Sequence, residues 1–121
     1  ESPLIDMLRY QELPAGASWM GEYGDPRIPG DAEFIARYSA YQQLRPEVKY
    51  PRVYITTNTR DDRVHPGHAR KFTAKLKDYG NTVYYHEYLE GGHSVGADNK
   101  EDANRAALLD AFLRRELMGV K

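Results

Sequence analysis

The stretch Pro51-Arg52-Val53-Tyr54-Ile55-Thr56-Thr57-Asn58-Thr59-Arg60-Asp61-Asp62-Arg63-Val64-His65-Pro66, taken together with Gly91-Gly92-His93, decides how the chain is read. Val53 to Thr57 are all β-branched or aromatic and are bounded by Pro51 and Asn58, which predicts a buried strand over residues 52–58. That strand delivers Asp61 to the loop at its carboxyl end. Val83-Tyr84-Tyr85-His86-Glu87-Tyr88-Leu89 reads as a second strand, and it delivers His93 in the same way. In open α/β sheets, reacting groups gather outside the carboxyl ends of the strands, so an acid and an imidazole placed there are sited for chemistry.

Between the two runs, the spacing predicts a helix from about Pro66 to Tyr79. Ala69, Phe72, Leu76 and Tyr79 form its apolar face, Arg70, Lys71, Lys75 and Lys77 look outward, and Gly80-Asn81 stops it. Strand, helix and strand of these lengths imply a parallel crossover, and so an α/β fold. The longest helix, about Glu101 to Met118, should cover one sheet face with Ala103, Ala106, Ala107, Leu109, Leu113 and Leu117. Upstream, Pro3 to Tyr10 read as a short helical turn or irregular segment that presses an apolar side on something. Pro29-Gly30-Asp31 prefaces a helix with Asp31 as N-cap and Phe34, Tyr38 and Tyr41 on one face. The loop Gly16 to Pro26 holds Trp19 and Tyr23, whose rings either floor a pocket or pin the loop to the core.

The chain has 121 residues, of which 40% are hydrophobic and 29% charged, as suits one compact domain or part of a larger one. A net charge of −1, from 17 basic and 18 acidic residues mixed along the chain, leaves no electrostatic footprint for nucleic acid or an anionic membrane. No apolar run approaches the roughly 18 residues of a spanning helix. The absence of cysteine excludes disulfides, thiolate metal sites and cysteine nucleophiles, and leaves the compartment open.

An acid after one parallel strand and a histidine after the next follow the order of the last two members of an α/β-hydrolase triad. In such a triad the acid fixes the imidazole tautomer and the histidine takes the serine proton. The alternative is structural, with Asp61 capping a helix and His93 in a solvated turn. His65 and His68, with Asp61, Asp62 and His86 as conceivable further ligands, raise a metal site as a rival, although His-x-x-His without a definite third ligand is a weak pattern. A tyrosine-rich contact surface, with 10 Tyr, would suit a non-catalytic interaction module.

Several motifs in order carry a resemblance: Pro3-Leu4-Ile5-Asp6-Met7-Leu8-Arg9-Tyr10, the Trp19 to Gly24 loop, Tyr38-Ser39-Ala40-Tyr41, Tyr50-Pro51, Asp61-Asp62-Arg63-Val64 with Pro66 and His68, and Gly92-His93. The chain resembles the C-terminal part of the catalytic domain of the prolyl oligopeptidase family of serine peptidases. That resemblance implies the C-terminal portion of an α/β-hydrolase fold, with Asp61 as triad acid and His93 as triad base. It further implies that Arg63 hydrogen-bonds a substrate carbonyl, and that Trp19 stacks on a substrate proline in a pocket also lined by Tyr23 and Val64. The implied partner is a peptide, and no cofactor or metal is called for. Acylaminoacyl peptidases, dipeptidyl peptidases and esterases share the Asp and His positions.

The family's Gly-x-Ser-x-Gly elbow does not occur in the chain, and Ser2, Ser18, Ser39 and Ser94 all lack its flanking glycines. Residues 1–121 are therefore expected to be a C-terminal fragment without the nucleophile half or a propeller domain, and inactive alone. Two parallel strands make a poor sheet by themselves, so the chain is also expected to pair with another copy through the 53–58 edge or by exchange of an element.

Overall fold

Both expected strands form in the computed structural model, which describes residues 1–93 and 96–119. Along the chain come helices α1 (Met20–Tyr23), α2 (Pro29–Tyr38) and α3 (Ala40–Gln43), strand β1 (Val53–Asn58), helix α4 (Gly67–Asp78), strand β2 (Val83–Tyr88) and helix α5 (Asn99–Leu117). Two 3-10 turns, Tyr10–Glu12 and Gly16–Trp19, precede α1. The strands pair in parallel with no stagger, from Val53 beside Val83 to Asn58 beside Tyr88. Both therefore end at the same level, and the loops that leave them start side by side.

Helix α4 packs as its pattern demands. Ala69 and Leu76 are buried with Ile55 and Leu44, while Phe72 and Tyr79 lie at the margin of the same cluster. Gly80, at φ +73°, ends the helix in the left-handed conformation that glycine adopts without a Cβ clash. Three of the four outward basic residues have partners within the chain. Lys71 pairs with the buried carboxylate of Asp6, Lys75 donates to the Tyr41 carbonyl at 2.7 Å, and Arg70 pairs with Glu87 at 2.5 Å. No local pattern reveals these pairs, because the Lys71 partner lies 65 residues away.

The N-terminal segment is irregular and well buried, with Ile5, Asp6, Met7 and Tyr10 largely inaccessible. The Asp6 amide donates to His68 Nδ1 at 3.1 Å, and its carboxylate accepts from Gln42 at 2.7 Å. Met7, Tyr10 and Ile35 make a second core, against which Trp19, Met20 and Tyr23 pack.

Two helices depart from their expected phase. Asp31 is not the N-cap of α2: Pro29 occupies the first turn behind Ile28, where its missing N–H costs nothing, and the Asp31 carboxylate accepts from the Asp25 amide at 2.8 Å. Phe34 and Tyr38 face outward, 62% and 46% exposed, because the smaller Ile35 fills the gap beside Met7 and Tyr10; Tyr41 lies beyond the extended Ser39, on α3. Along α5, no residue is fully buried. Leu109, Leu113 and Leu117 of the expected stripe are 47%, 42% and 78% exposed. The helix meets the sheet instead through Phe112, stacked on Tyr54 at 5.4 Å and edge-on to Tyr84 at 5.7 Å, and through Arg105, 3.8 Å above the Tyr88 ring.

Candidate active site

Beyond Asn58 the ladder continues for one bond, Thr59 N–H to the Tyr88 carbonyl at 2.8 Å, before the two loops part. The first loop turns back at once, and Asp61 Oδ1 accepts from the amides of Arg63 at 3.0 Å and Val64 at 2.8 Å. This is the side-chain-to-backbone turn that aspartate forms readily, and it fixes the carboxylate ahead of α4. The second loop bends at Gly91, at φ +80°, where a β-carbon would be strained. It brings His93 Nδ1 to 2.9 Å from Asp61 Oδ2 and 3.1 Å from Oδ1. Asp61 does not cap α4, which starts behind Pro66 without a side-chain cap; its carboxylate holds its own turn and meets the imidazole.

The Asp61 side chain is wholly inaccessible, whereas that of His93 keeps 27% of its surface. Burial by itself raises a carboxyl pKa, and this is the largest single influence on Asp61. Against it act the bond from His93 and the amides of Val64 and Arg63, and together these hold Asp61 below the usual carboxylate range. An ionised carboxylate can only accept, so the proton of the contact belongs on Nδ1, leaving the lone pair on Nε2.

Arg63 is exposed and Val64 half-buried, both immediately beyond Asp61. The structure thus brings Asp61, Arg63, Val64 and His93 into one loop cluster. Trp19 and Tyr23 belong to the second core, where Tyr23 meets Tyr10 edge-on at 6.0 Å, and each remains half-exposed. Among the described residues, no serine hydrogen-bonds the imidazole. Ser18 donates to the Ala15 carbonyl at 2.6 Å, and Ser39 is buried between the Ile5 carbonyl and the Met7 amide, each at 2.9 Å. Ser94 lies outside the described residues. The histidines weighed as metal ligands face the backbone: His65 Nδ1 accepts from the Gly67 amide at 3.0 Å, and His68 Nδ1 from Asp6. No group of three or more His, Asp or Glu among the described residues could hold a metal ion.

Two neighbours of the pair were not singled out from the sequence. Ser2 gives its N–H to the Thr56 carbonyl at 2.8 Å, on the free side of β1. Its buried hydroxyl forms no hydrogen bond, yet lies near enough to Asp61 to favour the carboxylate. The other is Asn58, buried at the end of β1. Neither position carries a local signal, since both contacts join segments distant in sequence.

The model of the prolyl oligopeptidase family matches residues 1–119. An uncharacterized peptidase of Rickettsia prowazekii is 45% identical over 97% of the chain, and one of Sinorhizobium fredii is 42% identical over 98%. The chain spans 16% of the length of each of these curated relatives. Among solved structures, a post-proline cleaving enzyme from Rickettsia typhi superposes with a TM-score of 0.94 at 42% identity, over 98% of this chain and 17% of its own. With a parallel strand pair, flanking helices and a family match over residues 1–119, the chain is part of an α/β-hydrolase domain and belongs to the prolyl oligopeptidase family.

Proposed function

We propose that residues 1–121 are the C-terminal part of a serine-peptidase catalytic domain, supplying the acid and the base of its triad for cleavage of peptides after proline. The observation that carries this reading is the buried, ionised Asp61 bonded to Nδ1 of a partly accessible His93. In the reaction, Nε2 of His93 takes the hydroxyl proton of a serine from outside these residues as its oxygen attacks the peptide carbonyl. Asp61 stabilises the resulting imidazolium, and the proton then passes to the leaving amine. In this reading Arg63, which is exposed and two residues beyond Asp61, donates to a substrate carbonyl. Trp19 stacks on the proline ring, with Tyr23 and Val64 completing the pocket. The name of the Rickettsia typhi enzyme, a post-proline cleaving enzyme, supports the choice of proline.

By itself the chain lacks the nucleophile and its oxyanion donors, where most transition-state stabilisation resides. A serine-directed phosphonate is expected to leave it unlabelled, and stoichiometric labelling would refute that. In a protein that joins it to a Gly-x-Ser-x-Gly elbow, D61A or H93A is expected to lower kcat by about 10⁴-fold or more on a proline ester. Retained turnover in both variants would remove the triad assignment. W19A in the same protein should lower kcat/KM for proline substrates more than for a generic ester; an equal loss would move the assignment to another α/β-hydrolase specificity. The isolated chain is also expected to self-associate through the side of β1 that Ser2 covers at only one bond, and a stable monomer by light scattering at high concentration would count against this.

A further inference from the structure

Asn58 is completely inaccessible, and three of its polar groups are engaged, each with a different element of the site. Its backbone carbonyl accepts from the Asp61 amide at 3.2 Å, closing the turn that carries the acid. Its side-chain nitrogen donates to the Gly92 carbonyl at 2.6 Å, in the loop that carries the histidine. Its side-chain oxygen accepts from the Arg105 guanidinium of α5 at 2.5 Å. The orientation of the amide follows from chemistry, since a guanidinium only donates and a carbonyl only accepts, so nitrogen and oxygen cannot be exchanged.

Arg105 is itself held firmly. It pairs with Glu101 at 3.0 Å and Glu1 at 3.2 Å, lies over the Tyr88 ring, and keeps only 11% of its side-chain surface. The Gly92 carbonyl belongs to the peptide unit whose nitrogen is that of His93, so fixing it fixes the plane from which the imidazole departs. The adjoining Gly91-Gly92 pair provides little stiffness of its own, because glycine retains the widest backbone freedom. A dyad tolerates displacements of only about 0.5 Å before its geometry degrades, so this loop needs an external anchor.

We propose that Asn58, oriented by Arg105, is a positioning residue that spans the two loops and holds the His93 imidazole on Asp61. This rests on the dyad described above, and it adds that α5, although remote from the reacting atoms, determines how well that dyad is held. A buried asparagine with a purely structural role would stabilise the fold without affecting the imidazole proton selectively.

The test is NMR of the 121-residue chain carrying ¹⁵N-labelled histidine, reading hydrogen exchange of the His93 Nδ1 proton beside the amide spectrum of β1, β2 and α4. The decisive variant is N58D, which keeps an acceptor for Arg105 and loses the donor to Gly92. It is expected to speed Nδ1 proton exchange by about ten-fold, as the loss of one buried hydrogen bond implies, with the strand and α4 amides unmoved. R105Q retains Asn58 and releases its carboxamide, so it should give a smaller acceleration in the same direction. It also serves as the deciding variant should N58D fail to fold. Exchange unchanged from the parent chain in a folded N58D, or in R105Q if N58D does not fold, overturns the proposal. If the parent chain itself shows no protected Nδ1 proton, the dyad reading fails first and this inference with it, so the two failures appear in different samples.

Discussion

Helix α4 buries His68, Ala69, Thr73 and Leu76 along its 12 residues, whereas α5, at 19 residues, buries none fully. Both flank the same two strands. On the α4 side, close-packed aliphatic groups meet a histidine and an aspartate locked in a hydrogen-bond network. On the α5 side, a few discrete contacts carry the attachment: one ring stacked on rings, and an arginine clasped by carboxylates and a tyrosine face. The difference separates a helix that constitutes the core from one that is fastened to it, and the fastening of the second runs through the loop bearing His93.

The largest effect should come from the α4 side. Leu76→Ala removes a side chain only 1% exposed and should destabilise the chain by about 4 kcal/mol in chemical denaturation. A loss below about 1 kcal/mol would erase the contrast between the helices.

Next is a dependence on pH confined to that side. Burial above all holds the His68 pKa down to about 4; His65 and Lys71 act the same way and Asp6 opposes them. The folded chain therefore resists a proton that the unfolded chain accepts from about pH 6.5 downward. The His68 contribution is complete above that pH and drains away as the pH falls towards about 4, on the order of 3 kcal/mol in all. In His68→Asn, whose side-chain oxygen can still accept from the Asp6 amide, stability measured across this interval should lose that component of its slope. A slope unchanged by the substitution would mean His68 is not the group responsible.

The smallest effects belong to α5. Phe112→Ala, which breaks the stack on Tyr54, should cost about 1–2 kcal/mol, and Leu113→Ala less than about 0.5 kcal/mol. If thermal denaturation ranks Leu113→Ala with Leu76→Ala, the exposed leucines of α5 are covered in solution and the two helices are alike.

The same contrast explains what the sequence revealed. The β-branched run 53–57 identified β1 and the tyrosine-rich run 83–89 identified β2, and α4 showed its phase because its apolar residues alternate cleanly with lysine and arginine. In α5, alanine and leucine occur on so many sides that several phases are equally apolar, and Phe112 settled the choice through its tyrosine partners. In α2 the large rings of Phe34 and Tyr38 suggested the wrong face, since fit beside Met7 and Tyr10 favoured Ile35. At the site, Asp61 and His93 stood out because each follows directly on a strand. Asn58, Ser2 and Arg105 did not, since their relevance depends on contacts across 34 to 104 residues that no local spacing encodes.

Strands β1 and β2 finish flush, Asn58 beside Tyr88. The distance between carboxylate and imidazole is consequently set by residue count: two residues intervene between Asn58 and Asp61, and four between Tyr88 and His93. Side-chain replacements in either connector leave that arithmetic intact, while adding or deleting one residue changes it outright. Among sequence variants of this chain, length polymorphism should therefore be rarest at these two connectors, even though both lie at the surface where indels are ordinarily absorbed.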